Sequence, residues 1–212
     1  MTNGIASPEE EPMTSTSARR PTRVATLPPR ERILDAAEEL FLNEGVVRVG
    51  VQAIADRAGT TKMAIYRHFG TKDALIAEWL RIVVHDYSAA FDAAEQEHPG
   101  DYAEQIRAVG RFIVDGLPGF SHRGCPFTNS VAELPDPDHP ARRLISEHKT
   151  RQFGRLRAMC EGLGLPDPDL GAAELTFAME GAQIAVQNGG VENVGAHLTR
   201  IVEGVISRGK PS

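Results

Sequence analysis

The sequence predicts an all-α protein of about nine helices, in which a small N-terminal three-helix unit precedes a larger helical domain. Three observations predict it. From Pro29 onward, apolar residues recur at three- and four-residue spacing along almost the whole chain. No stretch of useful length alternates apolar and polar residues as a half-buried strand would. Gly45, Gly59 and Gly70 fall at the ends of successive apolar periods, where helices stop.

The elements follow in order. Residues 1–28 are rich in Pro, Ser, Thr, Glu and Arg and hold few large apolar side chains, so they read as a disordered tail. They contain no apolar signal-peptide core, and no run approaches the length of a membrane span, which predicts a cytoplasmic protein. "PRERILDAAEELFLNEG" sets Ile33, Ala37, Leu40 and Phe41 on one helical face, with Pro29 in the first turn and Gly45 just past the end. "VQAIADRAG" predicts a short second helix ended by Gly59. Thr60 or Thr61 then caps a third helix running to about Phe69. Thr71 caps a fourth, "KDALIAEWLRIVVHDYSAAF". Further helices are predicted at 102–117, 125–134, 141–165, 169–190 and 191–209, with "PDPDHP" (135–140) as a loop. The expected domains are 29–75 and 76–212.

Charge singles out the third helix. The chain carries a formal net charge of −6, yet Lys62, Arg67, His68 and Lys72 follow Arg57 with no acid before Lys72. On a helical wheel Thr61, Ile65 and Phe69 fall on one side, while Met63, Ala64 and Arg67 fall opposite. Lys62, Tyr66 and His68 flank that outward face. Helix, glycine-containing turn, helix is a helix-turn-helix arrangement. Its outward residues suit a major groove: Arg pairs with guanine, Ala and Met touch a thymine methyl, and Lys, Tyr and His reach phosphates. Thr71 and Lys72 open the fourth helix, whose free N–H groups attract a phosphate. By periodicity alone, the alternative is a solvated helical hairpin with ordinary surface charge.

The string "ILDAAEELFLNEG…VQAIADRAGTTKMAIYRHFGTKDALIAEWL" closely resembles the DNA-binding domain of the tetracycline-repressor (TetR) family of bacterial transcription regulators, over about residues 30–80. The resemblance implies that Thr61 caps the recognition helix and touches phosphate. It gives Lys62, Tyr66, His68 and Lys72 phosphate contacts and turns Ala64 and Arg67 toward bases. Gly50 departs from the Ser or Thr that commonly caps the second helix, which removes one hydroxyl. Met63 replaces a commonly small residue, and Thr60 a commonly apolar one. The basic "ARRPTR" (18–23) is either a minor-groove arm or a solvated tail.

Family members are usually homodimers built on their last two helices. Residues 169–190 and 191–209 are more apolar than one buried face requires. Leu175, Ala178, Ala182, Val186, Leu198, Val202 and Val205 are therefore expected at a dimer contact. A homodimer on double-stranded DNA would read a palindromic operator. The segment 86–165 is expected to hold a pocket for a small apolar or mixed effector. Its candidate liners are Trp79, Phe112, Phe120, Phe127, Asn129, Met159 and Phe177, each of which plain core packing would also explain. The helix from Thr71 to about Asp86 would link pocket to reading head. The most economical function is a ligand-released repressor. The alternatives are a redox- or electrophile-sensing regulator acting through Cys125, near His122 and Arg123, or an activator.

Other classes fit less well. A thiol enzyme using Cys125 and His122 lacks an orienting carboxylate, and no cofactor motif appears. A DNA-packaging protein would be basic. "DPDH" (136–139) has no second cluster to complete a metal site, so no metal and no cofactor are expected.

Overall fold

The computed structural model describes Met1, residues 27–118 and residues 124–209. Among the described residues there are nine α-helices and no strand. The tail with its "ARRPTR" segment, together with Phe120, His122 and Arg123, lies outside them.

The first unit is α1 (Pro29–Glu44), α2 (Val51–Ala58) and α3 (Lys62–Phe69). Ile33, Ala37 and Phe41 of α1 meet Ile54 and Ala55 of α2 and Ile65 of α3 in a buried core. Gly59 ends α2 in the left-handed conformation, φ 63°, where its N–H reaches Ala55 and Asp56 carbonyls. A β-carbon there would be strained, which is why the turn takes glycine. α4 (Lys72–Glu97) runs on well past Asp86, the end expected for the linking helix. Its first turns belong to the head: Trp79 is buried, its ring 5.3 Å from that of Phe41. Its later turns, with Tyr87 and Phe91, carry the same buried core on into the larger domain.

There the core is lined by α4, α5 (Tyr102–Gly116), α6 (Pro126–Glu133), α7 (Pro140–Gly162), α8 (Pro168–Asn188) and α9 (Val194–Ile206). Ion pairs tie the helices at the rim. Arg107 of α5 grips Glu203 of α9 through two N–H···O bonds of 2.7 and 2.9 Å. Arg155 of α7 pairs with Asp92 and Glu95 of α4 and lies over the Phe91 ring. α9 starts at Val194 rather than 191, because Gly189, Gly190 and Asn193 all take positive φ and form the turn.

Two sequence expectations need correction here. Leu175, Leu198, Val202 and Val205 were expected at a dimer contact, but all are buried inside the protomer, with Ala182 nearly so. Val202 packs where a β-carbon on Gly110 would lie only 3.4 Å from its methyl, so α5 and α9 approach closely there. Phe177, expected in an interior pocket, is 73% exposed on the outer face of α8.

Candidate nucleic-acid interface and regulatory cluster

The third helix stands on the head like a plate on its rim. Ile65 is buried and Phe69 half-buried, anchoring the inner side. Lys62, Arg67 and His68 are exposed, with Met63 at 76% and Tyr66 at 44% exposure; Ala64 is half-buried. Both helix starts on this side are capped by side chains. Thr61 Oγ1 accepts from the Ala64 N–H at 3.2 Å, and Thr71 Oγ1 accepts from the Ala74 N–H at 3.0 Å. These bonds satisfy one orphan donor at each start, and the remaining N–H groups are free to face an anion. Gly50 caps α2 with extended backbone and no side chain, on an exposed site with open space around it.

Lys72 is the exception among the basic residues. It is half-buried and donates to the Val47 carbonyl at 3.0 Å, and burial lowers its pKa. Its ammonium braces the α1–α2 turn while keeping further N–H donors. That turn holds a cation that sequence reasoning passed over. Arg48 is exposed beside Val47, next to the start of α4. The signal was a single Arg interrupting the apolar "VVRVG".

The same turn touches the larger domain. Glu133, at the end of α6, accepts from the Val47 N–H at 2.9 Å. His139 caps α7 by accepting from the Ala141 N–H through Nδ1, which leaves the proton on Nε2, 3.4 Å from Asp73 at the start of α4. Asp136 closes its own turn by accepting from the Asp138 N–H. The head is therefore joined to the larger domain through α4 and, separately, through the end of α6.

At the other end of α6 lies an aromatic cluster. Tyr87 is its hub, with ring centroids 5.2 Å from Phe112, 5.3 Å from Phe127 and 5.9 Å from His148; Phe127 and His148 are 4.8 Å apart. Gln183 of α8 donates to the Tyr87 hydroxyl at 3.0 Å. Burial, with help from Lys149 and Arg151, pushes the His148 imidazole down to about 4, so it is neutral near pH 7. Burial also raises the Tyr87 pKa, keeping the phenol protonated. Of the expected effector liners, Phe112 and Phe127 meet here. Asn129 is half-buried on α6, and Met159 is buried in the α7 core. Trp79 stays with the head, and Phe177 stays on the surface. Tyr87, His148 and Gln183 were missed. Their signal was polar residues on apolar stripes: His148 and Gln152 sit in register with Ile145 and Leu156.

A third surface is apolar. Along α8 and α9, Leu170, Phe177 and Ile201 are exposed, together with Gly181 and Gly204. They form one stripe at helical spacing, with a shallow groove between Glu174, Phe177, Ile201 and Arg208. Among the described residues, no helix is long and apolar enough to cross a membrane.

An exposed basic helix with a threonine cap at its own start and at the start of the helix that follows, on a three-helix head carried by a helical domain, defines a helix-turn-helix DNA-binding regulator. Comparison with known proteins makes the class specific. Residues 33–79 match the family model for bacterial regulatory proteins of the tetR family. The chain is 30% identical over 135 residues to the transcriptional repressor Rv3405c of Mycobacterium tuberculosis, covering 58% of this chain and 69% of that one. It is 31% identical over 116 residues to the regulator TtgR of Pseudomonas putida, covering 50% and 54%. The crystal structure of SCO4454, a TetR-family regulator from Streptomyces coelicolor, superposes with a TM-score of 0.79 at 34% identity, over 84% of this chain and 94% of that one. The chain belongs to the TetR family of transcriptional regulators, and it is a regulator rather than an enzyme.

Proposed function

We propose that this regulator is a repressor that binds a palindromic operator as a homodimer and leaves it when a small molecule binds the larger domain. The observation that carries the reading is the exposed face of α3, held between two threonine caps. In this reading Arg67, Ala64 and Met63 read base edges. Thr61, Lys62, Tyr66, His68, Thr71 and Arg48 meet phosphates. Lys72 chiefly braces the α1–α2 turn, and Gly50 lets the backbone approach closely.

The dimer forms through the stripe of Leu170, Phe177, Gly181, Ile201 and Gly204, with Ala178 and Val186 at its margin. The occupant is a second copy, because a two-fold operator needs two heads and the stripe is self-complementary in chemistry: bulky apolar residues beside bare glycine surface. Residues 29–75 act as the head and 76–212 as the regulatory and dimerisation domain. A ligand in the Tyr87 cluster displaces α6 and α4 together, and the Glu133–Val47 and Lys72–Val47 bonds carry that movement into the head.

The name of Rv3405c supports repression. The activator FasR of Mycolicibacterium smegmatis is 41% identical, but over only 54 residues, 26% of this chain. Cys125 is buried, so a thiol-based sensor finds no support in its exposure. The test is a reporter driven by the isolated operator in a host lacking the protein. Expression of the chain should lower reporter output, and Arg67→Ala should restore it. A rise in output on expression would make it an activator.

A further inference from the structure

The Tyr87 cluster also has an unusual polar balance. His148 Nε2, Gln183 Oε1 and Ser130 Oγ are buried without a hydrogen-bond partner among the described residues. His148 is 3% exposed, Gln183 2% and Ser130 1%. Ser130 lies one turn along α6 from Phe127, on the same side. Leaving buried polar atoms unpaired is costly, and a protein keeps such a group for a reason. The Tyr87 hydroxyl accepts from Gln183 and so keeps its own O–H free to donate. Five helices bring these groups together, with aromatic faces filling the space between.

The Lys149 and Glu180 charges at the edge of the cluster cancel, and Arg151, which also acts on His148, is exposed to solvent. Lys149 Nζ lies 2.8 Å from Glu180 and 5.3 Å above the Phe127 ring. Neither charge is left over to balance a ligand's. An ionic ligand would have to be desolvated there without a counter-ion, which burial penalises heavily.

We propose that the effector is a small uncharged aromatic molecule bearing one hydroxyl or carbonyl group, its ring stacked among Tyr87, Phe112 and Phe127 and its polar group bonded by Tyr87, Gln183 and His148. This rests on the ligand-released reading above. The space beside Tyr87 and Gln183, lined also by Ile113, Leu156, Thr176 and Met179 but not by Phe112, Phe127 or His148, has a volume of only about 10 Å³, so a ring enters the cluster by displacing side chains. Met179, which lines it, is the flexible wall suited to that movement.

The test uses four matched probes at neutral pH: 4-methylphenol, p-xylene, 4-methylbenzoate and 4-methylbenzylammonium. Affinity for the full chain is measured by titration calorimetry or ligand-observed NMR. The expected order is 4-methylphenol first, by about ten-fold over p-xylene, with both ions weaker still. Tyr87→Phe and Gln183→Met, both close in shape, should each remove most of the hydroxyl preference and leave p-xylene unchanged. The proposal is overturned if either ion binds as well as the phenol, or if the preference survives in both variants. It is also overturned if the folded protein binds no 4-methylphenol at millimolar concentration. Operator affinity in saturating 4-methylphenol then separates the two claims. Probe binding that leaves operator affinity unchanged refutes ligand release and leaves the chemical assignment standing.

Discussion

Phe177→Asp should split the dimer while leaving the protomer folded. Phe177 is 73% exposed in the single chain, and no buried core residue depends on it. A phenylalanine buries on the order of 200 Å², so a partner covering the exposed part would remove about 150 Å² of apolar surface from water. At about 25 cal/mol per Å² that is roughly 3.5 kcal/mol per copy, and a two-fold interface uses the residue twice. Much of this is offset by ordering and by the freedom lost on association. A conservative expectation is about 3 kcal/mol in total, a rise of roughly 100-fold in the dimer dissociation constant. The aspartate adds an unpaired buried charge, which moves the result further in the same direction. Sedimentation equilibrium measures the constant, and circular dichroism with urea melting checks the protomer. Unchanged dimerisation in a folded variant would refute the assignment of this stripe as the interface.

The other predictions concern the head, its linkage and the core. Thr61→Ala removes the acceptor for the Ala64 N–H and should cost about 1 kcal/mol in urea unfolding, with Thr61→Ser recovering most of it. Arg67→Ala should cost about 1–3 kcal/mol of operator binding and relax preference at one base pair, whereas Lys62→Ala should weaken all sequences alike and lower the salt slope by about one. Glu133→Ala takes away the acceptor of the Val47 N–H, so amide exchange in residues 45–49 should quicken by about ten-fold; an unchanged rate would remove the α6 link. His148 is neutral when folded down to about pH 4, while the unfolded chain takes up its proton near 6.5. Its stabilising effect is therefore complete above pH 6.5 and lost as pH falls from 6.5 toward 4, by as much as about 3 kcal/mol. His148→Gln should flatten that part of the stability profile, and an unaltered profile would contradict the burial argument.

How far each part could be read from residues alone depended on pattern strength. In α3 the polar and apolar residues separate cleanly around the wheel, and Ile65 and Met63 lie where that separation puts them, one buried and one exposed. In α8 and α9 about two thirds of the positions are apolar or small, more than one buried face holds, so periodicity could not tell which side faced the protomer core. Leu175 and Phe177 look equivalent in sequence, yet packing buries the one and leaves the other bare. Of the aromatic and Met side chains expected around an effector, Phe112 and Phe127 pack against Tyr87. The polar groups opposite them come from α4, α7 and α8, and only packing brings Tyr87, His148 and Gln183 to one point. The Glu133–Val47 bond joins residues 86 positions apart and leaves no local trace.

Repression as proposed requires sequence-specific binding by a two-fold dimer. Selection of genomic DNA fragments by the purified protein at near-physiological salt, followed by sequencing, tests it most directly. The expected result is enrichment of a palindrome whose half-sites lie about one helical turn or a multiple apart, lost in Arg67→Ala and weakened in Phe177→Asp. Enrichment of a single unrepeated half-site, or no enrichment by a folded dimer, would contradict it.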